Sequence, residues 1–392
     1  STTSGFQLYN DDTTAYRLTL SNAGNLGIGT TSPDSKLHVA GDIRSTGNII
    51  AENFIVSSSV TYMTQSFSSG STIFGDTPSD DTHQFTGSLF ITGSRIEIND
   101  GKANTIVGAA AGDAITTGTA NVAIGTRALS TSTTGGSNVA IGYEAMNDSA
   151  AGNVITGCTA VGTGAFKTGG TTSAGSFVTA IGYGALNKTT TGGYNTAVGL
   201  YAGYSLTTAQ KNTMLGSQAG RFASGSSAAE NVYVGSNAGM NLNDGLRNVA
   251  VGRLAMQGGG GNAQYNVGLG YSALTAITTG IKNVAIGGSA LTTEDTGYWN
   301  TAVGFEALKD LNYDGAGNNV AVGSYSAANL TTGINSVAIG HLALGTHTTG
   351  LRNIAIGTAA MSDTDAGSTS LGSGDNIFIG YSAGGGTWAD AA

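Results

Sequence analysis

The side chains able to do acid–base, nucleophilic or metal chemistry are few and poorly spaced for it. The four histidines are His38, His83, His341 and His347, and none stands at metal-ligand spacing from a cysteine or carboxylate. Cys158 is the only cysteine, which excludes an internal disulfide, and no basic residue beside it would activate the thiol. A glycosidase needs two carboxyl groups facing each other across about 5–9 Å of a groove. The nearest pairs in sequence are Glu294 with Asp295, Asp310 with Asp314, and Asp363 with Asp365. All fall in loop edges, where a solvated turn residue is the expected role. The glycines recur at a fixed period and match no phosphate-loop pattern. The reading is a non-enzymatic chain with no catalytic residue, no metal and no cofactor.

What must position these side chains is a scaffold poor in helix formers. Glycine is 64 of 392 residues, charged residues are only 10%, and proline occurs twice. Ser, Thr, Asn, Ala and Gly dominate, with Val and Ile between them, which suits short strands and tight turns. The formal charge is −9, and no run of basic residues marks a nucleic-acid partner. No apolar run approaches the ~18 residues of a membrane span, so no membrane insertion is expected.

From residue 104 one unit recurs sixteen times: Asn, then Val or Thr, Ala, Val/Ile/Leu, Gly, two variable residues, and Ala. Asn121 to Ile124-Gly125 and Asn283 to Ile286-Gly287 are examples. Successive anchoring glycines lie 17, 17, 20, 20, 17, 17, 19, 17, 18, 17, 17, 19, 17, 17 and 23 residues apart. A base period of 17 with insertions fits a coil that tolerates loops at one edge.

The residue before each Gly is branched and aliphatic in all sixteen units, which reads as a continuous dry core. The residue two earlier shares its face, because side chains alternate along a strand. The residue between points the other way and is Ala in eleven units, with Ile106, Met214, Tyr233, Gly268 and Phe378 as exceptions. A strand apolar on both faces is expected to bury one inside the coil and the other against a neighbouring subunit.

The invariant Gly is expected to allow a bend or a close backbone approach. Ala three residues later is expected to open a second strand, and the Gly of Thr-Thr-Gly turns such as Thr278–Gly280 to supply positive φ. Asn opens thirteen units and would stack into an amide ladder, interrupted by Cys158, Val178 and Ser336.

Candidate recognition residues are those that vary against this scaffold. The positions after the anchoring Gly include Tyr143, Tyr183, Tyr201, Arg253, Tyr271, Phe305, Tyr325, His341 and Tyr381. Such aromatics could stack on sugar rings or proteins, or pack between neighbouring rungs or chains. Insertions near 147–157, 167–177 and 362–375 are the next candidates.

The Asn-Val-Ala-Ile-Gly units resemble the head repeats of trimeric autotransporter adhesins, which implies a parallel β-roll packed as a trimer. Gly24-Asn25-Leu26-Gly27-Ile28-Gly29-Thr30-Thr31-Ser32-Pro33, with Lys36-Leu37-His38-Val39, is similar to a motif of bacteriophage tail fibres. Segments 53–59 and 74–88 look like stretches of tailed-phage structural proteins.

The combined expectation is an all-β chain: a parallel β-solenoid or β-roll of about 16 rungs, forming an intertwined homotrimer with an N-terminal β-rich shaft. Residues 1–43 would be a β segment with the tail-fibre-like motif, 44–103 a shaft or connector, and 104–392 the solenoid. Sixteen rungs at about 4.8 Å give a rod on the order of 75 Å. The expected function is a structural virion fibre attaching to a host surface. Its partners would be copies of itself, a cell-surface glycan or protein receptor, and other fibre or baseplate proteins. A bacterial trimeric surface adhesin and, less favoured, a polysaccharide depolymerase stay open.

Overall fold

The structure, a computed structural model, describes residues 7–10, 15–46, 101–147, 155–167, 176–224, 228–362 and 373–385. Most of the expected shaft over 44–103 lies outside the described residues. So do Trp388, the expected cover for the final rung, segments 53–59 and 74–88, Asp363, Asp365 and most of the three insertions. The chain divides into two units, Ser1–Phe90 and Ile91–Ala392. All regular elements among the described residues are strands.

In the first unit, β1 (Gln7–Asn10), β2 (Ala15–Leu20), β3 (Leu26–Ile28) and β4 (Leu37–Val39) form one sheet in chain order. The first two pairings are antiparallel and the third is parallel. The Gly24–Pro33 motif makes the crossover. Asn25 Nδ2 donates to the Pro33 carbonyl at 3.2 Å, and Lys36 Nζ donates to the Ala23 carbonyl at 3.0 Å. A Cβ at Gly27 would sit 2.7 Å from the Thr30 carbonyl oxygen. The motif's residues and spacing therefore have a local structural role.

The second unit is a parallel β-solenoid. Its sixteen strands, each of three residues, run from β5 (Thr105–Val107) to β20 (Ile377–Ile379) in one sheet in strict chain order. Every neighbour pairs in parallel with equivalent repeat positions opposite, as in Ala123↔Ala140 and Ile286↔Val303. The repeat read from sequence is thus one coil of the solenoid.

The interior is not the column expected. Ala123, Ala285 and their equivalents are fully buried, whereas Ile124 and Ile286 are each 37% exposed. The branched residues before Gly form columns in register, but on the outer face of the coil. The interior takes the small residue because the opposite side fills the remaining width. Ala128 and Leu129, and likewise Ala290 and Leu291, point inward and are fully buried.

Nor does a second strand form there. The segment after the anchoring Gly is a turn whose second and fourth residues adopt positive φ, at Arg127 (58°) and Leu129 (50°), or Ser289 (55°) and Leu291 (48°). Alternating the sign of φ aims backbone groups along the axis. Arg127 N–H donates to the Ala109 carbonyl and Leu129 N–H to the Ala145 carbonyl, both at 2.9 Å. Stacking thus replaces strand pairing, and it offsets the left-handed conformations that Leu and Arg disfavour.

The five exceptions to the Ala column are compensated six residues later. Where the strand residue is large, the Leu position is glycine: Ile106 with Gly112, Met214 with Gly220, Tyr233 with Gly239, Phe378 with Gly384. Cβ atoms added at these glycines would fall 2.9, 2.8, 2.5 and 2.7 Å from the large side chains. Conversely, Gly268 stands in a rung whose Leu position is the buried Leu274, and a Cβ added at Gly268 would fall 3.1 Å from Met256 Cε. Each large strand residue is thus accommodated by a glycine in its own rung, as a close-packed core demands.

The anchoring glycines meet both conditions expected of them. Their φ values lie between 123° and 143°, where only glycine is comfortable. From Gly108 to Gly357, an added Cβ would come within 2.3–2.8 Å of the next rung's glycine. The Thr-Thr-Gly glycines differ from expectation, since Gly135, Gly280, Gly333 and Gly350 are not in the left-handed region. Proximity selects them: a Cβ at Gly280 would lie 2.7 Å from the Gly297 carbonyl oxygen. In that turn Thr278, Thr279 and Gly280 N–H groups converge on the Asp295 carbonyl at 2.8, 3.1 and 3.1 Å.

The asparagine ladder is present and dry. Asn121 N–H and Nδ2 donate to Asn104 Oδ1 at 2.9 and 3.1 Å, and Nδ2 also donates to the Gly135 carbonyl at 3.0 Å. Cys158 and Ser336 keep the pattern with other acceptors: Val178 N–H meets Cys158 Sγ at 3.4 Å and Asn353 N–H meets Ser336 Oγ at 3.3 Å. Val178 offers no side-chain acceptor, so the ladder restarts at Asn195.

Candidate binding face

Side chains outside the coil follow the same period as those within it. Around each strand, one outward column of Val, Ile and Leu and one of Val, Ile and Thr are bracketed along the chain by variable positions. One bracket is the pair of residues after the anchoring Gly; the other is the residue just before the ladder Asn.

The first bracket holds the residues singled out from sequence, and the structure gathers most of them into groups. Tyr183 and Tyr201 meet edge to face at 5.2 Å between ring centres, and Tyr201 meets Tyr204 at the same distance. Tyr143 lines a hollow with these three. Phe305 packs on Tyr325 at 5.4 Å, and Tyr325 on His341 at 6.2 Å. The Arg253 guanidinium lies 5.7 Å from the Tyr271 ring centre. Tyr381 stands apart in the last described rung, 83% exposed. Rung-to-rung packing therefore engages most of these aromatics, yet Tyr143, Tyr183, Tyr271 and Phe305 keep about half their surface in water.

The second bracket is a strip that sequence reading passed over. Phe177, Tyr194, Lys211, Glu230, Arg247, Tyr265, Lys282 and Trp299 each precede the inward position that Asn usually fills, and all are exposed. Phe177 stacks on Tyr194 at 5.4 Å. Arg247 pairs with Glu230 at 2.8 Å and donates to the Tyr265 hydroxyl at 2.7 Å. Arg247 holds the Glu230 carboxyl below its usual range. The signal was available: one long side chain in each of eight consecutive periods from Phe177 to Trp299, always one residue before the Asn slot.

The carboxylates expected at solvated loop edges divide. Asp314 is exposed and accepts from Thr296 Oγ1 at 2.5 Å. Glu294 is the correction. It occupies an interior slot that Ile277 and Leu311 fill in the adjacent coils, and it is fully buried. Its Oε1 accepts from Gly297 N–H at 2.6 Å, and burial pushes its pKa up to about 7. His347 takes the equivalent slot in a later rung, buried with its pKa lowered by desolvation, Nε2 lying 3.1 Å from Ser373 Oγ. Burial raises the pKa of the Cys158 thiol. Among the described residues, no group of three or more His, Cys, Asp or Glu is arranged to hold a metal ion.

The arrangement is thus a constant stacked scaffold presenting aliphatic columns and aromatic or charged strips, with its buried ionisable groups isolated from one another. Comparison of the chain with protein-family models, curated proteins and solved structures finds no match in any of the three.

Proposed function

We propose that the chain is the structural rod of a trimeric virion fibre, a tail fibre or appendage that attaches to a host surface. The observation that carries the reading is the unbroken outer column of aliphatic side chains. Val, Ile or Leu stands at the outward position before Gly in all sixteen strands, the outward position two residues earlier is Val, Ile or Thr, and in a single chain many of the former remain more than a third exposed, including Val107, Ile124, Val251, Ile286, Val322 and Ile339. Isolated exposed apolar residues are ordinary, but a contiguous apolar strip along a whole solenoid marks an interaction surface. Aromatic and charged side chains flank the strip, as the rim of an interface does.

The parallel rungs favour an assembly of identical chains. Each copy presents the same ladder in the same direction, so side-by-side copies match rung for rung around a closed rotation axis. The three-fold number rests on the resemblance of the repeats to trimeric adhesin heads, and the virion setting on the tail-fibre-like motif at Gly24–Pro33. The attachment role is supported by the strips that vary against a constant scaffold.

The test is light scattering or sedimentation of the intact chain beside the triple variant Val251→Asp, Ile286→Asp, Val322→Asp. The expected result is a mass of three chains for the native protein and of one chain for the variant, with unchanged β-sheet circular dichroism. A native chain that is monodisperse and monomeric at micromolar concentration would end the proposal.

A further inference from the structure

The position two residues after each anchoring glycine carries a side chain in almost every rung, including Arg127, Glu144, Tyr201, Gln218, Asn237, Leu254 and Glu306. Two consecutive rungs leave it bare, at Gly164 and Gly184. Their φ values are 60° and 62°, but Glu144 (53°), Tyr201 (54°) and Gln218 (59°) hold the same conformation in neighbouring rungs. The backbone therefore accepts a side chain here. What the two glycines provide is space: a Cβ at Gly184 would fall 2.9 Å from the Tyr201 ring, and one at Gly164 would lie 3.2 Å from Asn187 Nδ2.

The result is a hollow of about 210 Å³ spanning two rungs. Tyr143 and Glu144 stand at one end, Tyr201 and Tyr204 at the other, with Tyr183, Asn187 and Lys167 completing the lining. The polar groups are held in place. Glu144 bridges Lys167 at 2.5 Å and Arg127 at 3.2 Å, and the Lys167 contact foremost keeps its carboxyl below the usual range, hence ionised. Asn187 Nδ2 donates to the Gly164 carbonyl at 2.9 Å. Edge-to-face contacts fix Tyr201 between Tyr183 and Tyr204.

We propose that this hollow is a binding subsite for one neutral pyranose ring of a surface glycan, a reading that rests on the attachment role given above. Flat tyrosine rings suit the C–H faces of a sugar, and phenol, carboxylate, ammonium and amide groups around them suit its hydroxyls. Within the lining the Glu144 carboxylate is matched by the Lys167 ammonium, so the walls offer no surplus charge to an acidic sugar.

The test is saturation-transfer-difference NMR with methyl glucoside, galactoside, mannoside and N-acetylglucosaminide, on the intact chain and two variants. Gly164→Gln installs the residue that position carries at Gln218 and fills the hollow, while Tyr183→Ala removes a wall. The expected result is transfer to ring protons of at least one glycoside, reduced at least tenfold in both variants, with thermal unfolding of Gly164→Gln unchanged. Absence of transfer to all four sugars, or transfer equal in native chain and variants, overturns the subsite. A monomeric chain that still binds the sugar through these residues would overturn the fibre and leave the subsite standing.

Discussion

Replacing Gly287 with alanine separates the two demands that the anchoring position makes. Gly287 has φ of 132°, and a Cβ there would lie 2.3 Å from the Gly304 carbonyl oxygen and 2.6 Å from its carbon. Gly380 shares the φ of 132° but has no rung above it among the described residues, where its Cβ would meet Ala383 Cβ at 3.8 Å. Gly288 has neither problem, its Cβ meeting only the edge of the Phe305 ring at 3.3 Å. The disfavoured backbone region costs about 1–3 kcal/mol on its own. Relieving the contact at Gly304 requires the rungs to part by roughly 1 Å. Nearby hydrogen bonds, such as Gly304 N–H to the Ile286 carbonyl at 2.7 Å and Val284 N–H to the Asn300 carbonyl at 2.8 Å, would then be lost. Two or three such bonds at about 1 kcal/mol each bring the total for Gly287→Ala to about 3–6 kcal/mol. Gly380→Ala should cost about 1–3 kcal/mol, and Gly288→Ala under about 1 kcal/mol. Denaturant unfolding followed by circular dichroism ranks the three. Because a rung touches only its neighbours, hydrogen exchange in Gly287→Ala should accelerate around residues 280–305 and spare distant coils. Equal losses for Gly287→Ala and Gly380→Ala would refute the stacking contact as the reason for the invariant glycine.

Two further predictions concern the interior. Tyr233→Ala should cost about 3–5 kcal/mol by leaving a cavity, Gly239→Met alone should be worse tolerated than in any Ala-centred rung, and the double variant should recover most of the loss. Additive losses in a double-mutant cycle would show that the two positions do not share one volume. Glu294 keeps its proton in the fold to about pH 7, while in the unfolded chain it ionises near 4.5. Stability should therefore fall as pH rises between these values and level off above them, by about 3 kcal/mol from this group. Asp295 and Asp314 add to the shift, whereas Gly297 and Tyr313 N–H groups oppose it. Glu294→Gln should remove this component from the difference between the two pH–stability curves, and an unchanged slope would disprove the burial.

Period, parallel stacking and the Asn ladder were legible because each leaves one residue type at one spacing. The choice of inner face was not. Val, Ile and Leu before Gly read as core by hydrophobicity, but a 17-residue coil has no width for two branched columns. Ala128 and Leu129 already fill the half of the interior opposite Ala123. That Leu129 lies in a turn at positive φ contradicts its own preference, so no local rule would place it there. The six-residue coupling of Tyr233 with Gly239 was visible as two separate irregularities and makes sense only once both side chains share a cavity. Glu294 misled for a related reason. An acidic residue beside Asp295 looks like surface, and only its alignment with Ile277 and Leu311 reveals an inward slot. Tyr183 and Tyr201 were found as varied aromatics, but the hollow beside them is formed by absent side chains at Gly164 and Gly184, which in a chain with 64 glycines do not stand out.

Met214 and Tyr233 sit in adjacent rungs, and the glycines at 203, 220 and 239 make room for them. Near-identical rungs invite a mistake in which one coil loops out and its neighbours close the gap. Across this block the mistake would press a phenol or thioether against a Leu or Met instead of a vacancy. The irregular pair thus acts as an index mark in an otherwise uniform stack, lowering the odds that a growing rod skips a layer and propagates the error to its end.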